Sequence, residues 1–238
     1  NKSVFDLLFR DTKANSSYAV MAGTESIVEY INDLHFSEND VAYLRSLNLF
    51  DESFLSVLRK LHFTGEIYAM EEGTLVYPYE PLVRVIAPIM EAQLVETALL
   101  NIINHQSLIA TKANRIARAA RGRTVLEFGS RRAQGADAAI IGARAAYIGG
   151  VAGTACTISD QIYGVPAGGT MAHAWVQMFD SEYEAFKTYC EVFPTNATLL
   201  VDTYNTLTSG VHNALKAFNA VPRHTGIPKY AIRQASGD

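Results

Sequence analysis

From residue 124 onward, short apolar runs that finish on small or polar residues alternate with Ala/Gly-rich segments. The runs span residues 124–128, 147–154, 165–173, 198–203 and 230–236. Such a succession predicts strands joined by helical crossovers, and therefore a parallel sheet or barrel. In that architecture the chemistry sits on loops at the carboxyl ends of the strands. Ten of the sixteen glycines lie between Gly122 and Gly169, which predicts close backbone approach there.

The first half has a mixed texture. Residues 4–9 read as a strand. Ile27, Val28, Ile31 and Leu34 have helical spacing within 25–34. Ser37 is an N-cap with Asp40 at the capping-box position, and 53–61 predicts a short amphipathic helix. Residues 63–70 and 74–78, around the turn Glu71-Glu72-Gly73, predict two strands paired with each other, and 82–87 a further strand. Pro88 suits the first turn of a long helix. That helix is expected to break near 104–107 and to stop at Gly122, with Arg115, Arg118 and Arg121 complementing its dipole. The change of texture puts a boundary near residue 110, dividing the chain into 1–110 and 111–238.

Composition narrows the partners. The 238 residues carry a net charge of −4, which argues against general nucleic-acid binding. The longest apolar stretch, 89–109, is interrupted by Glu91, Glu96, Asn101, Asn104 and His105, so it predicts a buried helix and no membrane association. Cys156 and Cys190 lack the spacing of a zinc site or a disulfide framework, and a reducing cytoplasm is the expected location. The chain opens on Asn1 rather than methionine and stops just after a strand-like run. It reads as a piece of a longer protein.

The strand-end loops hold the candidate chemistry. Glu127-Phe128-Gly129-Ser130-Arg131-Arg132-Ala133-Gln134-Gly135 follows an apolar run and sets two adjacent guanidiniums on a glycine-containing loop. Arginine forks suit carboxylates and phosphates; a solvated or structural ion-pair site is the alternative. Gly149-Gly150-Val151-Ala152-Gly153-Thr154 offers backbone N–H groups to a phosphate, or simply allows tight strand–helix packing. Gly168-Gly169-Thr170-Met171-Ala172-His173 places a histidine after a glycine pair, for acid, base or nucleophilic work or for structure. His105, on an apolar helix, is expected to be a core or dimer-contact residue. Val201-Asp202-Thr203-Tyr204 ends a buried run on a carboxylate and a hydroxyl, suited to a ribose, a metal-bound water, an arginine or a helix cap. Arg233 and Ser236 repeat the pattern near residue 238. Together these groups suit a ligand with phosphates, a ribose and a small anionic group.

With these landmarks in order, the chain resembles the nicotinate phosphoribosyltransferase family. The matching stretches are 4–10, 18–23, 127–135, 149–154, 169–173, 201–204 and the Arg233 to Ser236-Gly237-Asp238 ending. The resemblance implies a type II phosphoribosyltransferase, with an α+β N-terminal domain (1–110) and the first part of an irregular α/β barrel (111–238). It implies that nicotinate and 5-phosphoribosyl 1-pyrophosphate give nicotinate mononucleotide and pyrophosphate, with ATP hydrolysis coupled, in NAD salvage. Mg²⁺ accompanies the pyrophosphate, with no protein ligands for it identified. The implied roles are phosphorylation for His173, stacking on the pyridine for Phe128, and anion contacts for Arg131, Arg132 and Arg233. Asp202 is expected near the base or ribose, with Thr154, Thr203 and Ser236 as further substrate contacts. A homodimer with a shared active site is also implied. Ala155-Cys156 stands where the family usually has Ser-Asn, and Ala235 where it has an aspartate. These departures motivate a non-catalytic nucleotide-binding homologue as a second hypothesis. A nicotinamide-using sibling is the alternative within the family, though the Arg131-Arg132 pair favours a carboxylate; the His173 loop disfavours a quinolinate-using sibling, because those enzymes work without ATP coupling.

Overall fold

The computed structural model describes residues 2–10, 17–220 and 230–235. The chain divides into two compact units, Asn1–Gly168 and Gly169–Asp238.

In the first unit, β1 (Lys2–Leu8) begins a mixed α/β arrangement. A two-residue strand, β2 (Ala19–Val20), precedes α1 (Thr24–Asn32), α2 (Glu38–Ser46) and α3 (Glu52–Leu58). The expected capping box is present at α2: Ser37 and Asp40 satisfy each other's backbone N–H groups. Next come β3 (Glu66–Ala69), β4 (Leu75–Val76) and β5 (Pro81–Pro88), which leads into the 31-residue helix α4 (Ile89–Ala119). β5 is the centre of an antiparallel sheet in the order β1-β5-β3. One face of α4, through Ala92, Val95, Leu99 and Ile103, packs with Met21, Ile27, Val83 and Val85 into the main core. Its spacing of three and four residues is the helical period.

Two expectations for this half are corrected. β3 and β4 do not pair with each other. β3 pairs with β5, and Met70 N–H prolongs that register by donating to the Leu82 carbonyl. Gly73, at φ 87°, then lets the chain cross to β2, which takes β4 as its antiparallel partner. The long helix also runs unbroken through 104–107. Its polar residues there bond to neighbours instead of opening the helix: Gln106 Nε2 donates to Ser26 Oγ, and Ser107 Oγ bonds the Ala22 backbone.

Beyond α4, whose end is marked by left-handed Arg121 and Gly122, the unit continues with β6 (Leu126–Glu127), a 3₁₀ turn (Ser130–Arg132) and α5 (Ala136–Ile148). It closes with β7 (Gly153–Thr154) and α6 (Thr157–Tyr163). β6 and β7 are parallel, as the alternation predicts. The expected strands from residue 124 onward are all shorter than predicted, and two of them shrink most. Residues 147–148 belong to α5, so only Gly153–Thr154 of 147–154 is strand, and in 165–173 only Ala167 bridges, to Thr154. Arg144 of α5, largely buried, pairs with Glu25 and with Glu72 (2.6 Å). Burial pushes the Glu72 carboxyl up, but Arg144 and the Gly23 N–H outweigh it and hold the group below its ordinary value.

The second unit contains α7 (His173–Gln177), α8 (Glu182–Val192) and β8 (Thr198–Leu200). A π-helical turn (Thr206–Gly210) runs into α9 (Val211–Ala220), and β9 (Ala231–Arg233) pairs with β8 in parallel. Phe186, Leu199, Leu200, Val201, Ala214 and Ala217 form its core. Residue 110, where the change of texture suggests a boundary, lies inside α4, while the division into compact units falls after Gly168. Among the described residues no helix is long and apolar enough to cross a membrane.

The glycines of the 149–154 loop have a packing reason. A Cβ on Gly149 would collide with the Ala110 carbonyl oxygen and the Ala113 methyl, so α5 can close on α4 only without a side chain there. A Cβ on Gly169 would meet nothing within 4 Å. Gly149→Ala is therefore expected to lower the unfolding free energy by about 1–3 kcal/mol, and Gly169→Ala to leave it within about 0.5 kcal/mol. Urea denaturation of the two variants checks this; equal losses would remove the packing argument.

Candidate functional site

In the first unit, parallel pairing aligns Glu127 with Thr154 at the ends of β6 and β7. Thr154 is fully buried, and its hydroxyl donates to Glu127 Oε2 at 2.6 Å. The other carboxylate oxygen accepts the Gly129 N–H. Thr154 Oγ1 in turn accepts the Cys156 N–H (3.0 Å), and the Ala155 N–H donates to the Glu127 carbonyl (3.0 Å). A single carboxylate thus joins the loop after β6 to the segment after β7.

Phe128, 36% exposed, begins the loop above this network. The 3₁₀ turn then presents Arg131 and Arg132 as exposed residues. Neither guanidinium has a hydrogen-bond or ion-pair partner among the described residues. Arg45, Arg59, Arg84 and Arg144 behave differently, each being held by a carboxylate. Among the described residues the structural ion-pair alternative for the arginine pair finds no partner, and both cationic forks are exposed there to an external anion.

In the second unit, β8 delivers Asp202 just beyond its last residue, and β9 delivers Arg233 opposite Leu200. The Asp202 side chain is 4% exposed. Its Oδ1 lies 3.0 Å from His173 Nε2, and its Oδ2 accepts the Ala235 N–H at 2.8 Å. His173 opens α7 with its ring about half exposed. A carboxylate only accepts, so the nitrogen facing Asp202 carries the proton. In the neutral ring, Nδ1 is then left with the lone pair, the arrangement a nucleophile or base requires. Arg233 Nη1 donates to Thr170 Oγ1 (2.6 Å), tying the end of β9 to the loop that carries His173. Thr203 Oγ1 is buried without a partner among the described residues. Ser236 lies outside the described residues.

The structure thus brings His173 and Asp202 together, and Phe128, Arg131 and Arg132 onto one loop. It turns Thr154 toward Glu127. His105 is half-buried with its Nε2 unpartnered among the described residues. Two participants escaped the sequence reading. Thr170, which receives Arg233, was marked only by a hydroxyl after a glycine pair. Glu127 was marked only by being a carboxylate at the last residue of a strand. Among the described residues no group of three or more His, Cys, Asp or Glu side chains is arranged to hold a metal ion.

Residues 1–104 match the family model described as the nicotinate phosphoribosyltransferase (NAPRTase) N-terminal domain. The whole chain is similar to the nicotinate phosphoribosyltransferase of Bacillus subtilis, with 48% identity over 100% of this chain and 48% of the relative. It is similar also to nicotinate phosphoribosyltransferase pncB2 of Mycobacterium tuberculosis, with 45% identity over 99% of this chain and 50% of the relative. A solved structure titled human nicotinic acid phosphoribosyltransferase superposes with a TM-score of 0.84 at 27% identity, covering 98% of this chain and 56% of that one. The chain spans about half the length of the curated relatives it matches.

The Asp202 contact sets a measurable property of the imidazole. Nitrogen NMR of neutral His173 is expected to show the proton on Nε2, and Asp202→Ala to give a mixture of tautomers. A predominant Nδ1–H form in the unmodified protein would contradict the assignment.

Proposed function

The chain belongs to the nicotinate phosphoribosyltransferase family over the half-length that it spans, and on that premise we propose that the protein makes nicotinate mononucleotide. Nicotinate and 5-phosphoribosyl 1-pyrophosphate are the substrates and pyrophosphate the second product, a step of NAD salvage. The observation that carries this reading is the pair of exposed guanidiniums, Arg131 and Arg132, on the loop after β6, which have no partner among the described residues. An anionic base and a polyphosphorylated sugar both call for such forks.

In the reaction the pyridine nitrogen attacks ribose C1, and the C1–oxygen bond breaks with its electron pair leaving on pyrophosphate. Positive charge develops on the ribosyl ring, so positioned groups matter more than a strong base. Phe128 supplies a stacking face for the pyridine. Arg131 and Arg132 hold the carboxylate and phosphate oxygens. Asp202, Thr203 and Arg233 are assigned to the substrate side of the second unit, with Asp202 also orienting His173. ATP hydrolysis is coupled through His173: the Nδ1 lone pair attacks the terminal phosphorus, ADP leaves, and water later cleaves the phosphorus–nitrogen bond to release phosphate. A phosphorylated imidazole carries negative charge and reorganises its neighbourhood.

Mg²⁺ is assigned to the pyrophosphate of the substrate. No residue is assigned to the ion and no step is routed through it; Asp202 is assigned to orienting His173, with its oxygens facing His173 and the Ala235 N–H. The parallel strands are read as staves of an irregular α/β barrel, and the working protein as a cytoplasmic homodimer with a shared active site.

The natural protein is expected to form product from nicotinate in preference to nicotinamide or quinolinate, and ATP is expected to stimulate it. Each base is assayed with and without ATP. Turnover of none would remove the enzyme reading in favour of a non-catalytic nucleotide-binding homologue, and preference for the amide would remove the nicotinate assignment. His173→Ala is expected to abolish ATP hydrolysis and its stimulation of synthesis. Retained coupling in that variant would exclude the phosphohistidine role.

A further inference from the structure

We propose that Glu127 is a positioning residue that sets the conformation of the Phe128 to Arg132 loop by acting through Thr154. The inference rests on the reading of that loop as the base-binding loop, and it assigns a role to two residues that need not touch substrate.

The geometry carries it. One oxygen of Glu127 accepts the N–H of Gly129, inside the loop itself. The other accepts the hydroxyl proton of Thr154 at 2.6 Å. Thr154 is 0% exposed and its oxygen also accepts the Cys156 N–H, so the hydroxyl uses its single proton on Glu127. Gly129 is the residue immediately before the turn that presents Arg131 and Arg132. The loop's entry is therefore pinned to a side chain that is itself pinned to the neighbouring strand. β7 is held closely: Gly153 packs so tightly that a Cβ there would strike the Pro166 carbonyl oxygen, and Thr154 N–H and carbonyl both bond the segment that follows α6. A rigid strand, a threonine, a carboxylate and a loop N–H form one continuous connection.

Glutamate suits the position for a physical reason. It must accept two hydrogen bonds at once, on different oxygens and from different loops. Glutamine offers one acceptor oxygen and a donor that faces a hydroxyl already donating, so one link has to break or invert. The arginines' placement, not their charge, is then lost.

The test compares Glu127→Gln, Thr154→Val, Thr154→Ser and the Glu127→Gln/Thr154→Val pair in the natural protein, with thermal melts alongside kinetics. Glu127→Gln and Thr154→Val are each expected to raise the KM for nicotinate about tenfold while kcat stays within about threefold. The double variant is expected to be no worse than the poorer single one, because both break the same connection. Thr154→Ser, which keeps the hydroxyl, is expected to restore KM. Unchanged KM in folded Glu127→Gln and Thr154→Val, or losses that multiply in the double variant, would overturn the positioning role while leaving the nicotinate assignment standing. Loss that Thr154→Ser fails to restore would also overturn it, since methyl packing would then be the cause. An unmodified protein that neither turns over nor binds nicotinate in calorimetry would instead overturn the functional reading and this inference with it.

Discussion

Two hydroxyls on α4 complete a strand that has no second neighbour among the described residues. β2 pairs with β4 on one edge, while the Val20 and Ala22 N–H groups on the other are buried. Thr111 Oγ1 accepts from Val20 (2.9 Å), and Ser107 Oγ accepts from Ala22 (3.1 Å) while donating to the Ala22 carbonyl. A buried orphan N–H costs on the order of 1–3 kcal/mol, so the helix stands in for a missing strand. The same helix receives α5 at the side-chain-free Gly149, and Asn114 bridges the Tyr18 hydroxyl and the Gly149 carbonyl. Gly149 begins the short segment that becomes β7. The location of Thr154, and through it of Glu127 and the arginine loop, follows from how closely α5 can approach α4.

The arginines of the first unit divide by what surrounds them. Arg144 is buried and bound to two carboxylates, and Tyr163 lies under its guanidinium. Removing either partner of such a pair leaves an uncompensated charge, which makes it a fixed joint between α5 and the turn at Glu72. Arg45, Arg59 and Arg84 lie in exposed ion pairs that contribute little. Among the described residues no carboxylate holds Arg131 or Arg132. Among the described residues this arginine pair is unpaired, while each oxygen of the Glu127 carboxylate beside it accepts one hydrogen bond. Glu127 is near in sequence, yet its oxygens are turned to Gly129 and Thr154.

What the sequence discloses follows the range of the interaction responsible. The capping box at Ser37 and the glycine stop after α4 are local, and both were legible. The partner of β3 was not, because an Ile67 to Val85 pairing competes with a nearer hairpin that is equally plausible by composition. Residues 147–148 look strand-like alone but are held in α5 by Ala143, Ala145 and Ala146 packed beneath. At the site, residue types and order pointed to His173, Asp202, Arg131 and Arg132. The pairing of His173 with Asp202 depends on contact across 29 positions, and the Glu127–Thr154 link on a strand register across 27, neither of which a spacing rule supplies.

The two alanines that depart from the family pattern can be weighed by what their backbones do. Ala155 donates its N–H to the Glu127 carbonyl, closing the strand ends on each other. Ala235 donates its N–H to Asp202 Oδ2, which helps hold the carboxylate toward His173. Both are main-chain contacts that any residue except proline supplies, so alanine preserves the scaffolding at each position. A chain drifting toward a purely structural role would be free to lose the buried Asp202–His173 contact, since a half-exposed histidine gains little stability from it. It would also be free to pair or neutralise Arg131 and Arg132. Among the described residues this chain keeps His173 in contact with Asp202 and leaves Arg131 and Arg132 without an ion-pair partner, and at Ala155 and Ala235 the backbone carries the connection. The two alanines are therefore compatible with the catalytic reading proposed above, since neither main-chain contact depends on the side chain that is absent.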